Sequence, residues 1–214
     1  MTASTERGST NRVSPLAIWS ARFASASAAS AQFSIREVPF ASQVNLRLDP
    51  ASLGTQARPV LGCELPAAAN TWNAGTDCSV LWLGPDEWLV VAPDGRNESL
   101  CAELRTALSG AHHSVVDLSA NRTIIEIAGS DSRVALAKGC PLDLHGSAFK
   151  PHQCAQTLLA KSQMILQCVD AQPVFRLFVR ASFAPYVAEW LLDAAAELAA
   201  SRTIDTQRIA KALG

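Results

Sequence analysis

SVLWLGPDEWLVVAP, residues 79–93, is the stretch from which the centre of the fold can be predicted. Residues 79–83 and 88–92 are short apolar runs typical of β-strands, and Gly84-Pro85-Asp86-Glu87 between them is typical of a tight turn. Alternate side chains of a strand point to opposite faces, and here both faces are apolar. Since both faces must then be covered, we predict that this hairpin lies at the centre of a sheet.

The turn of the hairpin carries Asp86 and Glu87, with Trp82 and Trp88 on either side. Large aromatic side chains are enriched among the residues that dominate binding between proteins. We therefore predict that these four residues form a contact patch for a partner chain. The alternative is that the tryptophans belong to the core and the acids to an ordinary turn.

Two arginines are further candidates for a subunit interface. Arg47 lies near the end of the predicted strand QVNLRLD, and Arg180 ends a strand just before the last helix. A guanidinium group at such a place can bind an anion or pair with the acid of a partner. A strand end exposed to solvent is the alternative for both residues.

The composition excludes several classes of function. The 214 residues include 18 Lys and Arg and 19 Asp and Glu, a net charge of −1, so we predict binding neither to nucleic acid nor to an anionic membrane. No apolar run approaches the roughly 20 residues of a membrane helix. The six cysteines form no C-x-x-C pair and no secretory signal is recognisable, which predicts free thiols and a cytoplasmic location.

The rest of the chain alternates strand pairs with helices. Further strands are predicted at 34–38, 43–48, 114–118, 123–128, 155–160, 164–169 and 174–179, and helices at 97–110, 131–138 and 183–198. A short helix at 51–61 is disfavoured by Gly54 and Pro59, and 63–77 is predicted as loop. The pattern predicts an α+β fold of mainly antiparallel sheets with flanking helices. Two split β-α-β-like halves, about 33–112 and 113–200, fit this order.

The two ends of the chain carry weaker signals. Residues 1–32 are rich in Ser, Ala and Thr, a composition that cannot build a core, and we predict a flexible N-terminal arm with order beginning near Phe33. A short helix at 16–23 that docks on another surface is compatible with this arm, and a transit peptide has a similar composition. Residues 201–214 are predicted as a C-terminal tail.

Motifs of catalysis are absent from the sequence. It contains no phosphate-binding loop, no G-x-G-x-x-G after a strand, no H-E-x-x-H and no G-x-S-x-G. His112 and His113 are adjacent on a predicted strand and point apart, so they cannot chelate one ion. Cys140 follows a helix C-terminus, where the dipole disfavours a thiolate, and His145 has no acid beside it in sequence. We therefore predict no catalytic, cofactor-binding or metal-binding residue in this chain.

Three blocks of the sequence are distinctive: LWLGPDEWLVVAP (81–93), VDLSANRTIIEIAGSDSRVALAKGCPLDL (116–144) and FRLFVRASFAPYVAEWLLDAAAEL (175–198). They resemble the γ subunit of heterotetrameric sarcosine oxidase. QVNLRLDP (43–50) and KPHQCAQTLLAKSQMILQ (150–167) are similar to it in the same order. WLGPDEWL and KGCPLDL are the most specific, and the resemblance extends over residues 33–198.

The resemblance implies a fold and a complex. The fold is that of the folate-binding aminomethyltransferase family, although no counterpart of that family's catalytic acid or folate site is found here. The implied complex demethylates sarcosine oxidatively to glycine, forms hydrogen peroxide and, with tetrahydrofolate, makes 5,10-methylenetetrahydrofolate. Its α, β and δ subunits would be the partners of this chain. They would carry the cofactors: FAD and a covalent FMN in β at the α interface, NAD and the folate domain in α, and zinc in δ.

A second class of function stays open at this point. A free-standing folate-binding or one-carbon-transfer protein would share the aminomethyltransferase fold. An accessory subunit is expected to be isolated from its native cell with larger flavin-bearing partners, whereas a free-standing protein would be isolated alone and bind tetrahydrofolate.

Overall fold

The computed structural model describes residues 12–213, with side chains described for residues 12–200. These residues form ten strands: β1 Ser34–Val38, β2 Ser42–Leu48, β3 Trp72–Ala74, β4 Ser79–Gly84, β5 Glu87–Ala92, β6 His113–Asp117, β7 Arg122–Ala128, β8 Cys154–Leu159, β9 Ser162–Asp170 and β10 Val174–Arg180. They also form five α-helices: α1 Ser20–Ala29, α2 Pro50–Leu61, α3 Asn97–Ala107, α4 Ser132–Ala137 and α5 Ala184–Leu213.

The strands form two antiparallel sheets of five strands each. Sheet 1 has the order β3-β4-β5-β2-β6, and sheet 2 has the order β1-β7-β10-β9-β8. The predicted α+β class with mainly antiparallel sheets is confirmed. The two halves do not separate at residue 112, however, because β1 lies in sheet 2 and β6 lies in sheet 1. The chain therefore passes from one sheet to the other twice, through the short connections between β1 and β2 and between β6 and β7.

The predicted hairpin, β4 and β5, forms the middle of sheet 1, with Trp82 opposite Trp88. Val80 and Trp88 pack on the face that α2 and α3 cover, whereas Leu81 and Leu89 face the other way. There they meet apolar residues of sheet 2, among them Ile124, Ile165 and Phe178. The two sheets therefore pack face to face, and both faces of the hairpin are covered as predicted.

The outer face of sheet 2 carries the largest core cluster. Phe175 and Leu177 of β10 pack there with Val187 and Leu191 of α5, and all four side chains are fully buried. The result is four layers, helices outside and two sheets inside. Apolar residues fill the space between the two sheets. Polar residues of both sheets can therefore meet only at the ends of the strands, where the space opens as a cleft.

The N-terminal segment differs from the predicted flexible arm. After a short 3-10 helix, α1 packs on β1 and α5, and Leu16 and Phe23 are only 1% and 3% exposed in the core of sheet 2. Arg22 donates two hydrogen bonds, of 2.7 and 2.8 Å, to the carboxylate of Glu189. The Ser- and Ala-rich composition hid these two core residues: Leu16 lies directly before the 3-10 helix, and Phe23 is the buried residue of α1. Residues 1–11 of the predicted arm lie outside the residues that the structure describes.

Three other segments have more regular structure than the sequence predicts. The helix α2 forms despite Gly54 and Pro59, with the side chain of Asp49 accepting a hydrogen bond from the amide of Ala51 at 3.1 Å. The predicted loop 63–77 contains the short edge strand β3. The predicted C-terminal tail is helical as far as Leu213, because α5 continues.

Candidate subunit-contact site

Four of the six predicted interface residues lie at one end of the cleft between the sheets. Arg47 and Glu87 are register partners in sheet 1, and Asp86 lies in the turn beside them. Arg180 is the register partner of Arg122 in sheet 2. Glu87 acts electrostatically on Arg122 across the gap between the two sheets. We call these five residues the cleft-end cluster.

Strand alternation explains why the arginines of sheet 2 point into the cleft. Ile124 and Phe178 pack between the two sheets, and Arg122 and Arg180 lie two residues from them, hence on the same face. The side-chain amide of Gln43 donates a 3.0 Å hydrogen bond to the carbonyl of Arg122, which ties sheet 1 to sheet 2 at this end.

The two tryptophans do not belong to this surface. Trp88 is 1% exposed in the core under α2 and α3, and its indole N–H donates to the carbonyl oxygen of Pro66 at 3.0 Å. Trp82, its register partner, is half-buried against the same core. The predicted patch of acids flanked by tryptophans is thus corrected: alternation sends both indoles to the opposite face of sheet 1 from Glu87.

The two acids of the hairpin tip are already paired within the chain. Asp86 accepts a hydrogen bond from Arg47 at 2.8 Å, and both side chains of this pair are about half exposed. This hydrogen bond is the main cause that raises the pKa of Arg47. Glu87 accepts a 2.7 Å hydrogen bond from the side-chain amide of Asn45. The acids are therefore less available to a partner than the sequence suggests.

Arg122 and Arg180 differ from these two acids in their pairing. Within residues 12–200, neither guanidinium group forms an ion pair or a side-chain hydrogen bond, and Nη1 of Arg122 is buried without an acceptor. Burial and the positive charge of Arg180 lower the pKa of Arg122, while Glu87 opposes that shift. The two side chains line a cavity of about 370 Å³ together with Gln156, Thr157, Leu158, Gln163, Met164 and Ile165.

The remaining arginines of sheet 2 provide a contrast. Glu126 of β7 accepts hydrogen bonds from Arg36 of β1 at 2.6 Å and from Arg176 of β10 at 2.9 Å. The side chain of Glu126 is only 11% exposed. Burial alone would raise its pKa, but the hydrogen bonds from Arg176 and Arg36 outweigh burial and hold the pKa of Glu126 below its usual value. Each of these arginines has an acid, whereas Arg122 and Arg180 do not.

We expect Glu126→Gln to lower the free energy of unfolding by about 1–3 kcal/mol at pH 7, because two arginines lose a charged acceptor. Since the folded pKa lies below the ordinary value of 4.5, this contribution is fully present above that value and is lost as the pH falls through the folded pKa. Urea unfolding of both proteins from pH 7 to pH 3 measures it.

A matched control is Glu64→Gln, which removes an exposed ion pair with Arg58. Exposed pairs contribute about 0–1 kcal/mol, so this variant should differ little from the original chain at any pH. A difference for Glu126→Gln that stays constant from pH 7 to pH 3 would contradict the assigned role of the carboxylate.

The structure does not assemble the candidate catalytic residues into a site. The side-chain hydrogen bonds of His113 and His145 are to neighbours in the sequence, the carbonyl of Ala111 at 2.9 Å and the hydroxyl of Ser147 at 2.8 Å. Cys140 is buried near the hydroxyl of Thr157. Among the described residues, no group of three His, Cys, Asp or Glu side chains is placed to hold a metal ion. None of the helices searched in that part of the chain is long and apolar enough to cross a membrane.

The cysteines are free thiols in the structure. Burial raises the pKa of Cys78 and of Cys154 to about 12, so neither is a thiolate near neutral pH. Cys154 acts as a small apolar residue of the core, and Cys78 packs partly buried against the core of sheet 1.

Arg122 is the residue of the cleft-end cluster that the sequence analysis missed. Its position directly before the predicted strand 123–128 was the available signal. Only the pairing of that strand with 174–179, which places Arg122 opposite Arg180, identifies it as part of a site.

Comparison with known proteins gives consistent matches. Residues 47–197 match the model of the family described as "Sarcosine oxidase, gamma subunit family". The chain is 40% identical over 167 residues to the sarcosine oxidase subunit gamma of Arthrobacter sp., which covers 77% of this chain and 81% of that protein. It is 37% identical over 169 residues to the protein of the same name from Corynebacterium sp. (strain U-96), covering 78% of this chain and 81% of that one.

Solved structures give the same result for the fold. A chain of the heterotetrameric sarcosine oxidase from Corynebacterium sp. U-96, solved in complex with pyrrole 2-carboxylate, superposes with a TM-score of 0.82 at 35% identity. That match covers 89% of this chain and 97% of that chain. The aminomethyltransferase T of the glycine cleavage system from Bartonella henselae superposes with a TM-score of 0.61 at 15% identity, over 79% of this chain and 48% of that one. At this identity the second likeness concerns the fold alone.

Proposed function

The chain belongs to the sarcosine oxidase gamma subunit family, and from this we propose that it is an accessory, non-catalytic subunit of a heterotetrameric sarcosine oxidase. The observation that carries the proposal is the extent of the match, since 97% of one chain of a solved heterotetrameric enzyme is covered at 35% identity. The partners would be the α, β and δ subunits of that complex.

We propose that the complex oxidatively demethylates sarcosine to glycine, with formation of hydrogen peroxide, and makes 5,10-methylenetetrahydrofolate when tetrahydrofolate is present. The FAD, FMN, NAD, tetrahydrofolate and zinc of the complex are assigned to the other subunits. The described residues do not fit zinc, because no three candidate ligands come together among them. The sequence also has no dinucleotide fingerprint, G-x-G-x-x-G after a strand, that would fit FAD or NAD.

The contact surface that we propose for a partner subunit is the cleft-end cluster. Arg47, Asp86 and Arg180 are exposed there, and Glu87 and Arg122 lie partly buried behind them. With three arginines and two acids the cluster has a net charge of +1, so it favours an acidic partner surface. The cytoplasmic location predicted from the free cysteines stays a prediction.

We expect the isolated chain to be colourless and to oxidise no sarcosine, because its cofactors would reside on its partners. The measurement is the visible absorbance of purified chain and its production of hydrogen peroxide with sarcosine, with the co-purified complex as the positive control. Stoichiometric flavin or sarcosine turnover by the isolated chain would contradict the accessory role. Saturable binding of tetrahydrofolate by a chain that has no partners in its native cell would favour a free-standing folate protein instead.

A further inference from the structure

We propose that Arg122 and Arg180 together bind a carboxylate side chain of a partner subunit in the cavity at the cleft end. This inference rests on the proposed function, because it requires that the chain has a partner. It narrows the proposed contact between the cleft-end cluster and a partner subunit to Arg122 and Arg180.

The first observation is a pair of like charges without an anion. Arg122 and Arg180 are directly opposite on neighbouring antiparallel strands, and like charges in that position destabilise a sheet. The repulsion contributes to the lowered pKa of Arg122. Elsewhere in the same sheet Arg36 and Arg176 share the carboxylate of Glu126. A carboxylate between Arg122 and Arg180 would complete the same arrangement.

The second observation is the buried Nη1 of Arg122, which has no acceptor in the described part of the chain. A buried donor without an acceptor is destabilising, and more so when it is charged. The planar guanidinium group matches a carboxylate through two parallel hydrogen bonds. An oxygen ligand in the cavity would therefore satisfy the donor and neutralise the charge at once.

The charge of the cluster favours a carboxylate over a dianion such as phosphate. Arg47 and Asp86 neutralise each other, so Arg122, Arg180 and Glu87 leave a net charge of +1, which one carboxylate neutralises. A dianion would leave an excess negative charge close to Glu87, which already acts on Arg122.

The walls of the cavity favour a side chain over a free anion. The volume of about 370 Å³ lies at the low end of ligand pockets, and the lining includes Leu158, an apolar residue that is 42% exposed. Leu158 can cover the methylene stem of an inserted Asp or Glu. Gln156 donates a 2.9 Å hydrogen bond to the carbonyl of Leu83 and so joins the cavity wall to the hairpin. The cavity wall therefore lies beside the hairpin whose turn carries Asp86 and Glu87.

The test is assembly of the tagged full chain, expressed in its native cell, as Arg122→Gln, as Arg180→Gln and as the double variant. Truncating one partner of a buried charge pair costs on the order of 2–5 kcal/mol, so the double variant should dissociate from its partners at least about 30-fold more readily. Arg180→Lys keeps the charge but loses the fork and should give an intermediate loss. Arg58→Gln, an exposed arginine on α2 paired with Glu64, is the matched control and should assemble normally.

A second measurement separates this role from a structural one. In the isolated full chain, Arg122→Gln and Arg180→Gln should leave the melting temperature unchanged or raise it, because each removes the repulsion between the two arginines. Assembly should therefore be weakened without a fall of the melting temperature. A fall of the melting temperature that matches the loss of assembly would assign the arginines to the fold alone and overturn the proposal.

The remaining outcomes are also decisive. Normal assembly of the double variant beside a normally assembled original chain would overturn this inference and leave the proposed function intact. Failure of the original chain to assemble at all would overturn the proposed function itself. Titration of the isolated chain with sodium acetate and with sodium phosphate tests binding of a free anion. Saturable stabilisation that the double variant loses, combined with normal assembly of the double variant, would assign the cavity to a small anion and overturn the proposal.

Discussion

Replacing Trp88 with alanine is expected to lower the free energy of unfolding of the chain by about 3–5 kcal/mol. The indole is 1% exposed beneath α2 and α3, and truncation leaves a cavity at the centre of sheet 1. It also removes the donor to the carbonyl of Pro66. Urea unfolding of the isolated chain, followed by far-UV circular dichroism, measures the loss.

Two further variants identify the cause of this loss. Trp88→Phe keeps most of the buried apolar surface and loses the hydrogen bond, so it should lose less than the alanine variant. Trp82→Ala should also lose less, because this side chain is only half-buried on the same face. A loss below about 1 kcal/mol for Trp88→Ala would mean that Trp88 is not a core residue.

Phe23→Ala is expected to lower the free energy of unfolding by a similar amount, about 3–5 kcal/mol. The phenyl ring of Phe23 is 3% exposed and packs in the core of sheet 2 with Leu16 and Phe33. A flexible arm before Phe33 would give no loss at all, so the variant decides between the sequence expectation and the packed helix α1. The same unfolding experiment measures it.

Ile18→Ala is the control within the same segment. Ile18 is 85% exposed, and its truncation should change the stability by no more than about 0.5 kcal/mol. If Phe23→Ala and Ile18→Ala both have small and equal effects on stability, the segment before Phe33 is a flexible arm and not a packed helix.

The sequence predicts most of the fold because its strands are strongly patterned. In β4, Val80 and Leu81 alternate between two apolar faces, and the structure covers one with helices and the other with sheet 2. The exchange of β1 and β6 between the sheets could not be predicted, since it depends on which strands pair and not on local periodicity. The helix α1 was predicted only as a short helix at 16–23 within a flexible arm, because Ser and Ala dominate it and only Phe23 within it is buried.

The candidate site could be predicted in part. Arg47 and Arg180 were named from the sequence as strand-end residues, and the structure places them in different sheets, opposite Glu87 and Arg122. The partners of the charged groups, such as Asn45 for Glu87, depend on register and are decided only by tertiary structure. Trp88 was assigned to the surface because its neighbours in sequence are acidic, although alternation along β5 places it on the other face from Glu87.

The most direct test of the proposed function is the mass of the particle that contains this chain in its native cell. The tagged chain, purified gently and analysed by native mass spectrometry with its visible absorbance, is predicted to occur in a particle of four different subunits that absorbs as a flavoprotein. A colourless species at 22.7 kDa, or a multiple of that mass, would contradict the assignment of this chain as a subunit of sarcosine oxidase.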